Sequence, residues 1–318
     1  MSTAKNSEIY DPERLYAAAR LYYEENLGQS SIATRLKVSR PTVSRMLAHA
    51  REIGMVQIQV LNPSDNQGSE LSRQLASALG IKKVFLAPGM QLTNNEGIYT
   101  TDIQGAVAQA IESMQLKTGD GMIVSSGIST YSASRLPLPQ LPGVVIAPAV
   151  GGLAEPEAWH QTNEIARGFA QNTGATYIPL FASAIPSKPM HRALLEDPSF
   201  QQLQHLWATA KGAILGVGSK TSGRTSLSSA IPKESLQAAE GDICLHFFDS
   251  TGTDLNFPGS ERTVRIPLET LRKIPHTVVI AFGEEKVKST IIGARMGLFN
   301  TIVTDESTAR ALLEELGQ

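Results

Sequence analysis

Between Ser31 and Arg51 the chain carries five basic residues, Arg35, Lys37, Arg40, Arg45 and Arg51, and no acidic one. Small hydroxylic side chains, Ser39, Thr42 and Ser44, are interleaved with them. Guanidinium, ammonium and hydroxyl groups on one outward surface can meet both the phosphate oxygens and the base edges of a duplex. Placed on a helix at 100° per residue, Val43, Met46, Leu47 and Ala50 gather within about 60° of one direction. Pro41, Arg45, Ala48 and Glu52 fall roughly opposite, with Thr42, Ser44 and His49 on the flanks. The outward surface is therefore small, hydroxylic and basic, a shape that enters a major groove about 12 Å wide. The spacing predicts base-edge contacts from Arg45, Thr42 and Ser44, and phosphate contacts from Arg40, Lys37 and Gln29. An isolated basic helix is ordinarily just a solvated face. Here a preceding helix, a short turn and a cap come with it.

A second set of residues sits where short apolar runs end, and ligands of open α/β sheets bind beyond the carboxyl ends of strands. After MIVS come Ser126, Gly127, Ile128, Ser129 and Thr130, whose hydroxyls and amides at a helix start can cradle an anion, or can simply make a strand-to-helix turn. After the run Val144–Ala147, Gly151 and Gly152 let backbone approach a ligand. Asn163, Glu164 and Arg167 share one helical face, where Arg167 serves either a phosphate or Glu164. Asp249 ends the run ICLHFF, as a sugar-hydroxyl acceptor or as a turn residue. Lys286, in Gly283-Glu284-Glu285-Lys286, reaches a second anion or stays a surface lysine. The loop from Gly218 to Arg224 is glycine-rich and basic, but its glycine–lysine order is not that of a phosphate-binding P-loop, which argues against nucleotide hydrolysis.

Other chemistries lack their residues. The six histidines have neither HxxxH nor HExxH spacing, no GxSxG elbow is present, and neither a metal nor a cofactor is expected. The one cysteine, Cys244, lies in an apolar run and reads as a reduced core residue. No run approaches the roughly 18 apolar residues of a membrane span, and the start, MSTAKNSEIYDPE, has no hydrophobic signal core, so a cytoplasmic protein is expected. Net charge is −2 over 318 residues, yet residues 1–60 hold eight basic against six acidic residues, leaving −4 for the rest. The basic character is local, as when one module touches phosphates.

The elements that must position these residues follow from periodicity. A first helix is predicted from about Pro12 to Glu25, with Leu15, Ala18, Ala19 and Tyr22 inward. A second runs from Ser30 to Leu36, with Ile32, Ala33 and Leu36 inward. Lys37 and Val38 form the turn. Ser39 caps a third helix over 39–52, its hydroxyl free to accept an amide near Thr42, and Pro41 is tolerated in the first turn. Met55–Val60 alternates like a strand and suits a wing, and LNPSDNQGS reads as a hinge. Beyond it, helices are predicted near 69–79, 98–113, 163–173, 198–210, 284–297 and 305–316. Strands are predicted at Val84–Leu86, Met122–Ser125, Val144–Ala147, Ala213–Val217, Ile243–Phe248, Val278–Phe282 and Thr301–Thr304. Such alternation means a mostly parallel sheet covered on both faces. Two domains are expected, 1–61 and 62–318.

The run LYYEENLGQSSIATRLKVSRPTVSRMLAHAREIGMVQIQV, with its SRPTVSR core, closely resembles the N-terminal domain of SorC/DeoR-type sugar-binding transcriptional regulators. The resemblance continues through GDGMIVSSGISTYSA, TNEIARGFA, GDICLHFFDSTG and EEKVKSTIIGARMGLFNTIVTDESTARALL, almost the whole chain. It implies a (winged) helix-turn-helix joined to an α/β effector domain akin to sugar-phosphate isomerases and deaminases. It further implies operator binding as a homodimer or homotetramer, and a phosphorylated sugar or related metabolite as effector. Carried over by position, Ser126–Thr130 hold an anion, Gly151 and Gly152 line the pocket, and Asp249 and Lys286 contact the effector. Three departures stand out. Ile128 replaces a hydroxyl in the first loop, Val150 rather than lysine precedes Gly151, and 218–224 is basic and serine-rich rather than acidic. They leave a non-phosphorylated polyol open as the effector. The alternative, an isomerase or deaminase with an appended DNA-binding module, requires an acid–base pair that the sequence does not display.

Overall fold

The computed structural model describes residues 11–25, 27–56, 70–88, 103–153, 157–219, 231 and 233–318. The chain divides into two compact units, Met1–Leu61 and Asn62–Gln318.

In the first unit, α1 (Pro12–Tyr23), α2 (Gln29–Leu36) and α3 (Arg40–Glu52) pack around Leu15, Ala18, Leu21, Ile32, Ala33, Val43, Met46 and Leu47. The inward stripe of α3 is the predicted one, with Val43, Met46, Leu47 and Ala50 all buried. In α1 the inward set includes Leu21, while Tyr22 is only half-buried. Between α2 and α3, Lys37 adopts φ 53° and ψ 47°, a left-handed conformation that closes α2. The Val38 amide then donates to the Ala33 carbonyl at 3.0 Å, and the chain turns sharply into α3. Arg14 of α1 donates to the Leu36 carbonyl at 2.9 Å, pinning the end of α2 to α1. Of the expected strand, Met55 and Val56 lie in a bend, and 57–60 fall outside the described residues, as does most of the expected hinge.

The second unit begins with α4 (Glu70–Leu79), β1 (Lys83–Ala87), α5 (Gln104–Glu112), β2 (Gly121–Val124), α6 (Ile128–Ser134), β3 (Val145–Pro148), α7 (Thr162–Thr173) and β4 (Thr176–Tyr177). It continues with α8 (Lys188–Glu196), α9 (Pro198–Thr209), β5 (Gly212–Gly216), β6 (Gly218–Ser219), α10 (Lys233–Ala238), β7 (Gly241–Ile243) and β8 (His246–Phe248). It closes with α11 (Leu268–Lys273), β9 (His276–Ile280), α12 (Val287–Arg295), β10 (Thr301–Asp305) and α13 (Glu306–Glu315). Seven strands form one parallel sheet in the order β1-β10-β9-β5-β2-β3-β4.

The strands alternate between two cores. Met122, Val124, Ile146, Ile214, Val278 and Ile280 pack with residues of α5, α6 and α7. Ile123, Ala147, Ala213, Leu215, Val279 and Ile302 pack with residues of α4, α9, α12 and α13. Helices on both faces are what short, wholly apolar strands require. From β2 the chain winds outward to β3 and β4, and from β5 it winds the other way to β9 and β10. The β2–β5 pair is therefore the topological switch point, where the strand ends open a crevice.

One predicted strand is overturned. Ile243–Phe248 does not run straight but folds into the β7–β8 hairpin, turning at Cys244 (φ 52°) and Leu245 (φ 61°). Neither is glycine, so apolar content and β propensity hid the turn. Buried contacts hold it instead: Asp242 accepts the Leu245 amide at 3.1 Å, and Arg265 donates to the Leu245 carbonyl.

Candidate nucleic-acid face and ligand site

On α3, Ser39 is the N-cap with extended backbone, and its Oγ accepts the Thr42 amide at 3.3 Å. Arg40, Pro41, Ser44 and Arg45 are exposed on the first two turns, as are Lys37 and Ser39 just before them, and Gln29 is half-buried at the start of α2. Among the described residues neither Arg40 nor Arg45 is in an ion pair. Arg35, by contrast, is spent on Glu25 at 3.4 Å. Thr42 corrects the sequence reading. It is only 9% exposed, and its Oγ1 lies 2.8 Å from Ser39 Oγ. Standing beside Val43 at the third helical position, it faces the cap rather than solvent and offers no base-edge contact.

In the second unit, the crevice at the switch point is tied across its floor, where the Gly216 amide at the end of β5 donates to Ser125 Oγ after β2 at 2.8 Å. The next turn runs through Gly127, whose φ of 133° suits only glycine, into α6. The amides of Ile128 and Ser129 stand in the first turn of α6, where helices leave donors open. Ser126 and Ile128 are half-buried, and Ser129 is buried at the rim. Two members of this loop are committed elsewhere. The Gly127 amide donates to the Trp159 carbonyl at 2.8 Å, and Thr130, fully buried, donates to the Gly127 carbonyl at 2.9 Å. After β9, residues Glu284–Lys286 make a short 3-10 turn ahead of α12, and Lys286 Nζ stands 3.4 Å from Ser219 Oγ at the end of β6. Lys286 is thereby brought to the carboxyl edge of the sheet, one short turn beyond β5.

Five of the expected ligand residues carry bonds of the fold itself. Gly151 donates to the Val264 carbonyl and Gly152 to the Ala182 carbonyl, both at 2.8 Å, so their amides staple loops together. Asn163 clamps the backbone of Leu180, donating to its carbonyl at 3.1 Å and accepting its amide at 2.9 Å. Arg167 is exposed and pairs with Glu164, whose hydrogen bond and charge raise the guanidinium pKa further. Asp249 makes a turn. Its Oδ1 accepts from Thr251 Oγ1 at 2.7 Å, from the Thr251 amide at 2.8 Å and from the Thr253 amide at 3.0 Å, and these bonds lower its pKa. That turn packs on the far end of α12, where a Cβ on Gly252 would meet Met296 and Ile292. Lys286 stands before the helix's first residue, and nine residues of helix span about 13 Å. Gly252, in the turn that Asp249 makes, and Lys286 thus stand towards opposite ends of α12.

Sequence reasoning missed Ser125, Ser219 and Trp159. Ser125 was legible as the serine directly after β2, and Ser219 as a serine shortly beyond β5, once those strands are known to be neighbours at the switch point. Trp159 acts through its carbonyl, which no residue type announces. Most of the basic loop, residues 220–224, lies outside the described residues. Among the described residues no group of three or more metal-ligating side chains occurs, and no helix is long and apolar enough to cross a membrane.

The family model of a sugar-binding domain matches residues 66–314. The chain is 30% identical over 308 residues to the deoxyribonucleoside regulator of Bacillus subtilis, covering 94% of this chain and 96% of that one. The chain belongs to the SorC/DeoR-type sugar-binding transcriptional regulators. It is also 29% identical to the sorbitol operon regulator of Klebsiella pneumoniae, over 93% of this chain and 96% of that one. The crystal structure of the full-length Klebsiella regulator SorC superposes with a TM-score of 0.75 at 27% identity, covering 95% of this chain and 99% of that one. The β2–β5 crevice lies within the residues that the sugar-binding model matches, and α3 lies before them.

Proposed function

We propose that this regulator reads duplex operator DNA with α3 and is switched by a phosphorylated sugar or polyol bound at the β2–β5 crevice. The observation that carries the reading is the two-sidedness of α3: Val43, Met46, Leu47 and Ala50 are buried, while Arg40, Ser44 and Arg45 stand exposed and unspent. Arg45 and Ser44 are assigned to base edges, and Arg40, Lys37 and Gln29 to phosphates, with Ser39 holding the helix start. At the crevice, Ser126, Ile128 and Ser129 present amides and hydroxyls to an anionic group, and Lys286 supplies the countercharge. One such helix makes few contacts, so a homodimer or homotetramer reading two half-sites is assigned. Effector binding shifts the population between arrangements that fit the operator differently, and only through its differential affinity for them. The domain roles follow, DNA reading in 1–61 and effector binding in 62–318, in a cytoplasmic protein without catalytic turnover.

The test is a thermal-shift panel of sugar phosphates and polyols, repeated with operator DNA and with an assay for chemical conversion of each compound. A stabilising compound that also changes operator affinity and is recovered unaltered supports the reading. Conversion of the compound, or no stabilisation by any member, overturns it.

A further inference from the structure

Single apolar side chains on a surface are ordinary, but three of the five large exposed ones among the described residues, Phe181, Met190 and Leu195, lie between positions 181 and 195. Phe181 is 85% exposed and Met190 60%. The backbone that carries them is fixed. Asn163 accepts the Leu180 amide at 2.9 Å, and the Gly152 and Val264 amides donate to the Ala182 and Ala184 carbonyls, both at 2.8 Å. Arg262 donates to the Pro186 carbonyl at 2.7 Å, and Ser187 caps α8 by accepting the Met190 amide at 3.4 Å. Phe181 is therefore held out into water by an ordered segment. None of the nine residues of α8 is buried. At 100° per residue its half-buried pair, His191 and Leu194, point towards the body, and Met190 and Leu195 lie about 40° beyond them on either side. The apolar arc of α8 is wider than the surface it rests on.

Leu195 forms one wall of a cavity of about 120 Å³ whose other apolar walls are Phe200, Trp207, Val264 and Pro267. A dry cavity of about 150 Å³ accepts benzene, so this one is close to the size that takes a phenyl ring. Phe181 and the cavity belong to one patch, because Ala184, three residues after Phe181, accepts the amide of Val264 in the cavity wall. A knob and a hole on one patch let a two-fold axis close the contact, each copy giving a ring and taking one. The charges of α8 fit the same occupant. Lys188 opens the helix and Glu196 closes it, each at the end whose dipole disfavours it. Arg192 and Glu196 stand at i, i+4 in the less favourable order, and among the described residues neither is in an ion pair. A second α8 laid antiparallel puts Arg192 of each copy beside Glu196 of the other, and each helix end beside the opposite pole. We infer that this face is an interface between two copies of the chain, with Phe181 of each seated between α8, α9 and the 263–267 segment of the other. This rests on the oligomer reading proposed above and adds the surface through which the copies meet.

Sedimentation equilibrium of the full chain over a range of concentrations reads the assembly. Phe181→Asp is expected to halve its mass, with far-ultraviolet circular dichroism unchanged, because the side chain is exposed in the single chain. Arg192→Glu and Glu196→Arg should each weaken self-association by about threefold or more at low salt. An equimolar mixture of those two variants should recover it, since mixing restores both opposite-charge contacts. With a photoreactive benzophenone side chain at position 181, a mixture of isotopically light and heavy chains should cross-link light to heavy, within 195–207 or 263–267. Unchanged mass in Phe181→Asp, or no recovery on mixing the charge variants, overturns the interface. Cross-links confined to single chains overturn it as well and assign the face to another segment of the same chain. An unaltered chain that stays monomeric at every concentration, alone and with operator DNA, sinks the oligomer reading itself, an outcome distinct from the others.

Discussion

Ser39 Oγ and Thr42 Oγ1 lie 2.8 Å apart at the start of α3, so the hydroxyl of Thr42, read as groove-facing in the sequence, joins that of the expected cap Ser39 in holding the helix end. Arg45, one turn on, is exposed and in no ion pair among the described residues. The two positions should therefore separate experimentally. Arg45→Ala is expected to weaken operator binding by on the order of 1–3 kcal/mol with the melting temperature unchanged. Ser39→Ala is expected to cost about 0.5–2 kcal/mol of stability in the first unit, and Thr42→Ala to act the same way, through the cap. Fluorescence anisotropy with labelled operator at two salt concentrations, alongside thermal melts, checks both. Full operator affinity in Arg45→Ala removes that side chain from the interface.

Lys286 carries the second prediction. Its ammonium stands 3.4 Å from Ser219 Oγ, at the edge of the crevice opened between β2 and β5. Replacing it with methionine keeps the length of the side chain and deletes the charge. Affinity for a phosphorylated effector should fall by about tenfold or more, and Lys286→Arg should recover part of it, since a point charge on phosphate tolerates the exchange incompletely. The loss should shrink as salt is added, because the interaction at the mouth is screened. A neutral polyol that binds equally to the lysine and methionine forms would mean that the effector has no anionic end.

Periodicity made most of this fold legible. Short apolar strands between amphipathic helices specified a covered parallel sheet, and the stripe Val43, Met46, Leu47, Ala50 oriented α3 before any coordinates. Strand order was not legible, because nothing in the sequence says that β2 lies beside β5. Without that neighbour relation, every strand-end residue looked equally near a ligand, and Asp249 was grouped with Lys286. The Cys244–Leu245 turn was hidden because its left-handed backbone is held by Asp242 and Arg265 rather than announced by glycine. Residue type also could not say whose hydrogen bonds were already spent, which is what moves Asn163, Arg167, Gly151 and Gly152 out of the candidate site.

Gly151 and Asn163 should behave as fold residues. A Cβ on Gly151 would lie 2.8 Å from the Ser183 carbonyl and the Ala184 amide nitrogen, both backbone atoms that cannot step aside cheaply. Gly151→Ala is expected to destabilise the second unit by about 1–3 kcal/mol. Asn163→Ala, which strips both bonds from Leu180, should cost about the same. In each case chemical denaturation should show the loss without ligand, and any weakening of effector response should follow it. Normal stability with abolished effector binding would return these residues to the pocket.

Asp249 gives a pH-dependent test of the opposite kind. Donation from the Thr251 hydroxyl, with the Thr253 amide next, holds its carboxyl below the ordinary carboxylate range. A depressed folded-state pKa means that the unfolded chain takes up the proton first as pH falls. The stabilisation is therefore complete above the unfolded value, near pH 4, and is lost as pH drops through the folded one. The difference in melting temperature between the unaltered chain and Asp249→Ala should be constant from about pH 5 to 7 and narrow as pH falls below the ordinary carboxylate range. Effector affinity at pH 7 should be the same in both, since this turn packs on Ile292 and Met296, at the end of α12 away from Lys286. A tenfold weaker effector in Asp249→Ala, with an unchanged melting curve, would place the carboxylate in the ligand site and require the two ends of α12 to serve one molecule.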